Sequence, residues 1–202
     1  MNALNIILFS PKHKGENHMS QTTKKAFAAS LKKLLSRKTL DNITVKDIAE
    51  DCEVQRQTFY YHFQDIYALI EWIYLNEVTK AINDKKTYDT WNQGFNQLFQ
   101  YILENKSFVI NTYRSIKHED LERYIHEGSY ALLWGVVEEQ SLGLHVNECD
   151  KKFITHFYKY SFAGILLEWI RNGMKEDPQK IIKNIDIMIC GNIKNALIKF
   201  SE

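Results

Sequence analysis

Residues 43–63 read Ile43-Thr44-Val45-Lys46-Asp47-Ile48-Ala49-Glu50-Asp51-Cys52-Glu53-Val54-Gln55-Arg56-Gln57-Thr58-Phe59-Tyr60-Tyr61-His62-Phe63, and two short helices with a tight turn between them account for the pattern. Thr44 is a good N-cap, and Asp47 stands at the third helical position, where a capping-box acid bonds back to the cap. The apolar rhythm breaks around Cys52-Glu53-Val54, which predicts the turn. Beyond it, Phe59 and Phe63 lie one helical turn apart on a core-facing side, leaving Arg56, Gln57, Tyr60 and Tyr61 exposed.

Upstream, Ala26, Phe27, Ser30-Leu31, Leu34 and Leu35 recur at three- and four-residue intervals, which predicts an amphipathic helix over 22–37 with lysines on its other face. Three short helices with a tight turn before the third form the arrangement that sets a recognition helix in the DNA major groove. The residue types suit that task. Arg56 and Gln57 carry guanidinium and amide groups for base edges, Tyr60, Tyr61 and His62 reach backbone or bases, and Thr44 with Lys46 offers a helix start and a cation to phosphate. On composition alone, a helical hairpin with a charged outer face explains the segment equally well.

Downstream, Asp65 caps a helix whose stripe of Ile66, Leu69, Ile70, Ile73, Tyr74, Val78 and Ile82 is long enough to leave one domain and enter another. Further helices are expected over 90–104, 107–116, 119–141, 150–172 and 178–201, with Gly173 as a C′ residue and Asp177-Pro178 as an N-cap followed by proline at N1. Only 8 glycines and 2 prolines punctuate the 202 residues, and no segment reads as a strand. The expected fold is all-α: residues 1–18 outside the fold, a helix-turn-helix domain over 19–66, and a larger helical domain over 67–202.

The overall charge of +1 advertises neither nucleic acid nor membrane. Residues 20–64, however, carry eight basic groups against five acidic ones, whereas from residue 65 onward 16 basic groups face 19 acidic ones. Cys52, Cys149 and Cys190 are odd in number and far apart, which fits a reducing compartment, and cytoplasm is the expected location. No apolar run approaches the roughly 20 residues of a membrane helix. The opening Leu4-Asn5-Ile6-Ile7-Leu8-Phe9 is too short for a signal peptide and lacks its preceding positive charge, and Met19 is read as a natural start.

Catalysis finds no support. Dinucleotide, P-loop, serine-hydrolase and thiol-redox motifs lack their necessary parts. His118-Glu119 and His126-Glu127 each begin like a zinc-protease helix motif, but neither has the second histidine, so no metal or cofactor is expected. Glu119, Asp120 and Glu122 read as a solvated helix face.

The run 43–50, with Val54, Arg56, 58–63 and Leu69, resembles the DNA-binding domain of the TetR family of bacterial transcriptional regulators, over roughly residues 22–70. The resemblance implies that Arg56, Gln57, Thr58 and Tyr60 face bases or the adjoining backbone, while Thr44, Tyr61 and His62 hold phosphates. Lys46 and Gln55 belong to the same expected surface. Two departures stand out. Gln55 replaces a small Ser-type cap, and Ile66 replaces a lysine that reaches phosphate from the start of the fourth helix.

The run from Tyr160 to Gly173 resembles the C-terminal domain of the branch that includes a dihydroxyacetone kinase operon regulator. That branch implies a regulator able to activate, taking its signal from a kinase-like partner protein. One recognition helix reads too few base pairs, so a homodimer on a palindromic double-stranded operator is expected. Its interface is assigned to Tyr160, Gly164, Leu167, Ile185, Met188, Ile189 and Asn192. Trp91, Phe95, Phe99, Tyr113, Tyr124, Trp134, Phe157 and Phe162 are the candidates to enclose a small-molecule effector. The competing reading is a helical small-molecule-binding or enzymatic protein whose front domain no longer binds DNA.

Overall fold

The computed structural model describes residues 18–78, 90–115 and 118–201, and among them every regular element is helical. These residues divide into two compact units between Ile73 and Tyr74.

The first unit contains α1 (His18–Leu35), a 3₁₀ turn (Leu40–Asn42), α2 (Val45–Asp51), α3 (Arg56–His62) and α4 (Ile66–Ile73). Phe27 and Leu31 of α1, Ile48 of α2, Phe59 of α3 and Leu69 and Ile73 of α4 have no solvent-exposed surface. Phe27 meets Phe59 edge-on at 5.2 Å, and Phe63 sets its ring against Trp72 at 6.0 Å. Each such aromatic pair adds about 0.5–1.5 kcal/mol beyond area burial. Because α4 packs on α1, the unit ends after Ile73 and not at the 66/67 boundary expected from sequence. The Asp65 carboxylate accepts from the Ala68 N–H at 2.8 Å, capping α4. The expected helix over 65–82 does not continue unbroken: a π-turn occupies Tyr74–Val78, and residues 79–82 lie outside the described residues. Residues 1–17 of the expected leader do too.

In the second unit, α5 (Trp91–Glu104), α6 (Lys106–Tyr113), α7 (His118–Gln140), α8 (Glu148–Arg171), α9 (Pro178–Ile189) and α10 (Asn192–Phe200) follow the π-turn. The long pair α7 and α8 is antiparallel, since His126 meets Tyr160, Tyr130 meets His156 and Glu138 faces Lys151. Helices α5, α6 and α10 pack on this pair, and α9 packs on α5 and α10. Asn147 caps α8 by accepting from the Asp150 N–H at 2.9 Å. At the far end, Gly173 (φ 75°) donates to the Ile170 carbonyl and Met174 to that of Trp169, the Schellman pattern that glycine at C′ makes cheap. Asp177 caps α9 ahead of Pro178, as expected. The single helix expected over 178–201 is two, because Gly191 at φ 76° turns the chain between α9 and α10.

Candidate nucleic-acid interface

The capping box at Thr44 is formed on both sides. The Asp47 N–H donates to Thr44 Oγ1 at 3.2 Å, and the Thr44 N–H donates to Asp47 Oδ2 at 2.8 Å, while the Thr44 hydroxyl also bonds that carboxylate. The Thr44 hydroxyl and the Lys38 ammonium, 2.9 Å from Asp47 Oδ1, hold the Asp47 carboxyl well below the usual carboxylate range. A second ion pair, this one between α1 and α2, joins Lys33 to Asp51 at 2.5 Å. Together these bonds pin α2 against the end of α1.

The turn after α2 is a Schellman motif carried by a non-glycine residue. Glu53 takes φ 56° and donates to the Glu50 carbonyl, and Val54 donates to that of Ala49. Gln55 then occupies the N-cap of α3 with extended backbone and makes no side-chain cap bond.

Helix α3 sorts its residues by position. Phe59 is fully buried, Thr58 and His62 are half-buried, and Arg56, Gln57, Tyr60 (55% exposed) and Tyr61 (84% exposed) face solvent. Arg56 has no ion-pair partner among the described residues, so its guanidinium is available for a bidentate partner. His62 packs its ring on Phe27 at 6.1 Å and Tyr61 at 5.1 Å. Its pKa lies below the ordinary histidine value, first because of burial and then because of the Lys24 charge. Thr44 and Lys46 are also exposed, but both already have partners: Thr44 has Asp47, and Lys46 lies 3.6 Å from Glu50.

A family profile for bacterial regulatory proteins of the tetR family matches residues 29–73, and one for a transcriptional regulator C-terminal region of the same family matches residues 89–191. The chain belongs to the TetR family. It is a helix-turn-helix transcriptional regulator, the class of its relatives, and none of its described helices is long and apolar enough to cross a membrane. It is 27% identical over 174 residues to the HTH-type dhaKLM operon transcriptional activator DhaS of Lactococcus lactis subsp. lactis (strain IL1403), covering 85% of this chain and 91% of the relative. The solved structure of a dihydroxyacetone kinase operon activator DhaS superposes with a TM-score of 0.71 at 26% identity, over 89% of this chain and 98% of that one. NalD, the secondary repressor of the MexAB-OprM multidrug efflux pump in Pseudomonas aeruginosa, shares the fold at 15% identity and a TM-score of 0.54, over 91% and 99% of the two chains.

The remaining assigned residues fall in the second unit, and its geometry regroups them. Trp91, Phe95 and Phe162 form one buried cluster, with Phe95 and Phe162 4.3 Å apart, while Phe99 packs on Trp169 at 4.7 Å. Tyr124 stacks on Tyr74 beside a cavity of about 30 Å³, room for about one water. Trp134 stacks on Tyr130, Tyr113 is half-buried on α6, and Phe157 is exposed. Among the described residues, Trp91, Phe95, Phe99 and Phe162 are buried between helices.

The residues assigned to a dimer interface divide too. Tyr160 and Met188 are 60% and 68% exposed, Gly164 and Asn192 are exposed, and Leu167 is half-buried. Ile185 and Ile189 are buried, since with Ile181 and Ile182 they form the inward stripe of α9. They line the floor of an apolar groove of about 470 Å³ between α8 and α9, whose rim includes Phe157, Ile165 and Met188. Phe157 was assigned to the effector set, and Ile165 and Ile187 are exposed apolar residues the sequence reading left out. A Cβ added at Gly164 would meet nothing within 4 Å, so the monomer itself does not need glycine there.

Proposed function

We propose that this regulator reads a palindromic operator as a cytoplasmic homodimer and activates a dihydroxyacetone kinase operon. The likeness to DhaS extends through the second unit, covering 89% of the chain at a TM-score of 0.71, and this observation carries the reading. Arg56, Gln57, Thr58 and Tyr60 read base edges or adjoining backbone. Tyr61 and His62 hold phosphates, with Gln55 at the helix start. Thr44 and Lys46 contribute in competition with Asp47 and Glu50.

The homodimer uses the α8–α9 face. Phe157, Tyr160, Gly164 and Met188 present apolar surface around a groove, and exposed surface of that kind marks an association site. The signal enters through a kinase-like protein partner, as the branch resemblance implies, and the dispersal of the aromatic set into packing clusters supports this over an enclosed small molecule. The test is transcript abundance of the dihydroxyacetone kinase genes in cells with and without the regulator. Loss of transcript on deletion is the expected result; a rise would make the protein a repressor, and no change would reject the operon.

A further inference from the structure

Titratable groups are built into the proposed dimer surface. On α8, His156 stands one helical turn before Tyr160, and both are exposed. Across the seam with α7, His126 meets the Tyr160 ring at 5.4 Å and Tyr130 meets His156 at 5.1 Å, while His156 and Tyr160 stack at 6.2 Å. The Lys159 ammonium lies over the Tyr160 ring, 4.3 Å from its centre. Two imidazoles and an ammonium thus surround one phenol ring. Among the described residues, Nδ1 of His126 is buried without a hydrogen-bond partner. A neutral ring leaves that nitrogen an acceptor, whereas an imidazolium makes it a buried donor with nothing to donate to.

We infer that this ring seam makes homodimerisation pH-sensitive, with protonation of His126 and His156 releasing the protomers. The inference rests on the proposed homodimer on the α8–α9 face. Covering Tyr160 takes water away from the imidazoles beside it, so the dimer binds fewer protons than two monomers. Association is therefore strongest above the ordinary histidine value near 6.5 and weakens as pH falls through it. The neighbouring charges favour the same sign. Burial and then the Lys159 charge hold both histidines below their ordinary value, and Glu122, one turn before His126 on α7, opposes this for His126 alone. Lys152, one turn before His156, is paired with Glu148 at 2.7 Å. From α10, Lys194 bonds the Gln140 carbonyl at the far end of α7. Helix α9 carries Lys183 and Asp186, exposed and of opposite sign, and the buried residues of α5 and α6 are uncharged.

The experiment is sedimentation equilibrium of the full-length protein without DNA, which leaves the His62 effect on DNA affinity out of the reading. Between about pH 7.5 and about pH 5.5 the wild-type dimer dissociation constant is expected to rise at least about tenfold. The double variant His126→Gln with His156→Gln is expected to hold one value at both. An NMR titration of the wild type needs no substitution: His126 and His156 are expected to titrate at lower pH in concentrated, dimeric samples than in dilute ones. A wild-type constant that ignores pH, a double variant that still follows it, or histidine titrations independent of concentration overturns the inference and leaves the dimer standing. A wild type that is monomeric at both pH values overturns the dimer reading as well.

Discussion

The exposed aromatic and apolar residues of the two units differ in chemistry. In the first unit they are Tyr60 and Tyr61, side by side on a seven-residue helix with Arg56 and Gln57. In the second they include Phe153, Phe157 and Ile165 on α8, Ile187 and Met188 on α9, Ile198 and Phe200 on α10, and Leu142 after α7, with Tyr160 among them. A phenol loses little in water and keeps a hydroxyl for a phosphate or a base, whereas a phenylalanine or methionine gains nothing until another apolar surface covers it. The first surface suits a hydrated polyanion and the second a protein. Hydrophobic exposure alone does not separate the two; the polar atom on the ring does.

The sharpest way to break the comparison uses neighbours on α3. Phe59→Ala removes the ring at the centre of the first unit and is expected to cost about 3–5 kcal/mol, unfolding that unit in a thermal melt. Tyr60→Ala, one residue on, is expected to leave the melt unchanged while weakening operator binding. On the second surface, Phe157→Asp with Met188→Asp removes about 1.5–3 kcal/mol of apolar burial per side chain and is expected to give a monomer by light scattering. An intact dimer would move the interface elsewhere.

Smaller effects sharpen the account. Arg56→Ala is expected to cost about 1–3 kcal/mol on the operator and relax specificity at one base pair, read by binding to single-substitution operators. Tyr74 donates to or accepts from Thr112 Oγ1 at 2.6 Å inside the second unit. Tyr74→Phe is therefore expected to cost about 0.5–1.5 kcal/mol in denaturant melts, since Thr112 still reaches the Phe108 carbonyl.

His62 gives opposite signs for folding and binding. Its pKa in the folded protein lies below the unfolded value near 6.5, so the unfolded chain binds more protons and stability falls as pH drops through that value. Phosphate favours the imidazolium, so DNA affinity rises over the same range. His62→Gln is expected to remove both pH dependences. The smallest effect is expected at Glu53. Its φ of 56° costs a non-glycine residue energy, and Glu53→Gly is expected to stabilise the first unit by at most about 1 kcal/mol.

The first unit was legible because its signals are local. Thr44 and Asp47 are three residues apart, Phe59 and Phe63 four, and each pairing follows from helix geometry without knowledge of distant neighbours. The turn at Glu53 was found from the break in apolar rhythm, although its left-handed backbone was not. The second unit depends on which of two apolar stripes on a helix faces inward. Ile185 and Met188 are both apolar and three residues apart on α9, yet one is buried and the other exposed, a choice made by α5 packing on α9 from far along the chain. The break at Gly191 was legible in principle, since glycine inside a helical pattern signals a cap when a left-handed turn is available.

The measurement that bears most directly on the central claim is selection of bound duplexes from a random DNA pool, sequenced for the wild type and for Arg56→Ala with Gln57→Ala. The account predicts a palindrome whose half-sites are spaced by about one helical turn or a multiple of it, enriched by the wild type and lost in the double variant. Enrichment of the same palindrome by the double variant, or no enrichment by the wild type, would contradict it.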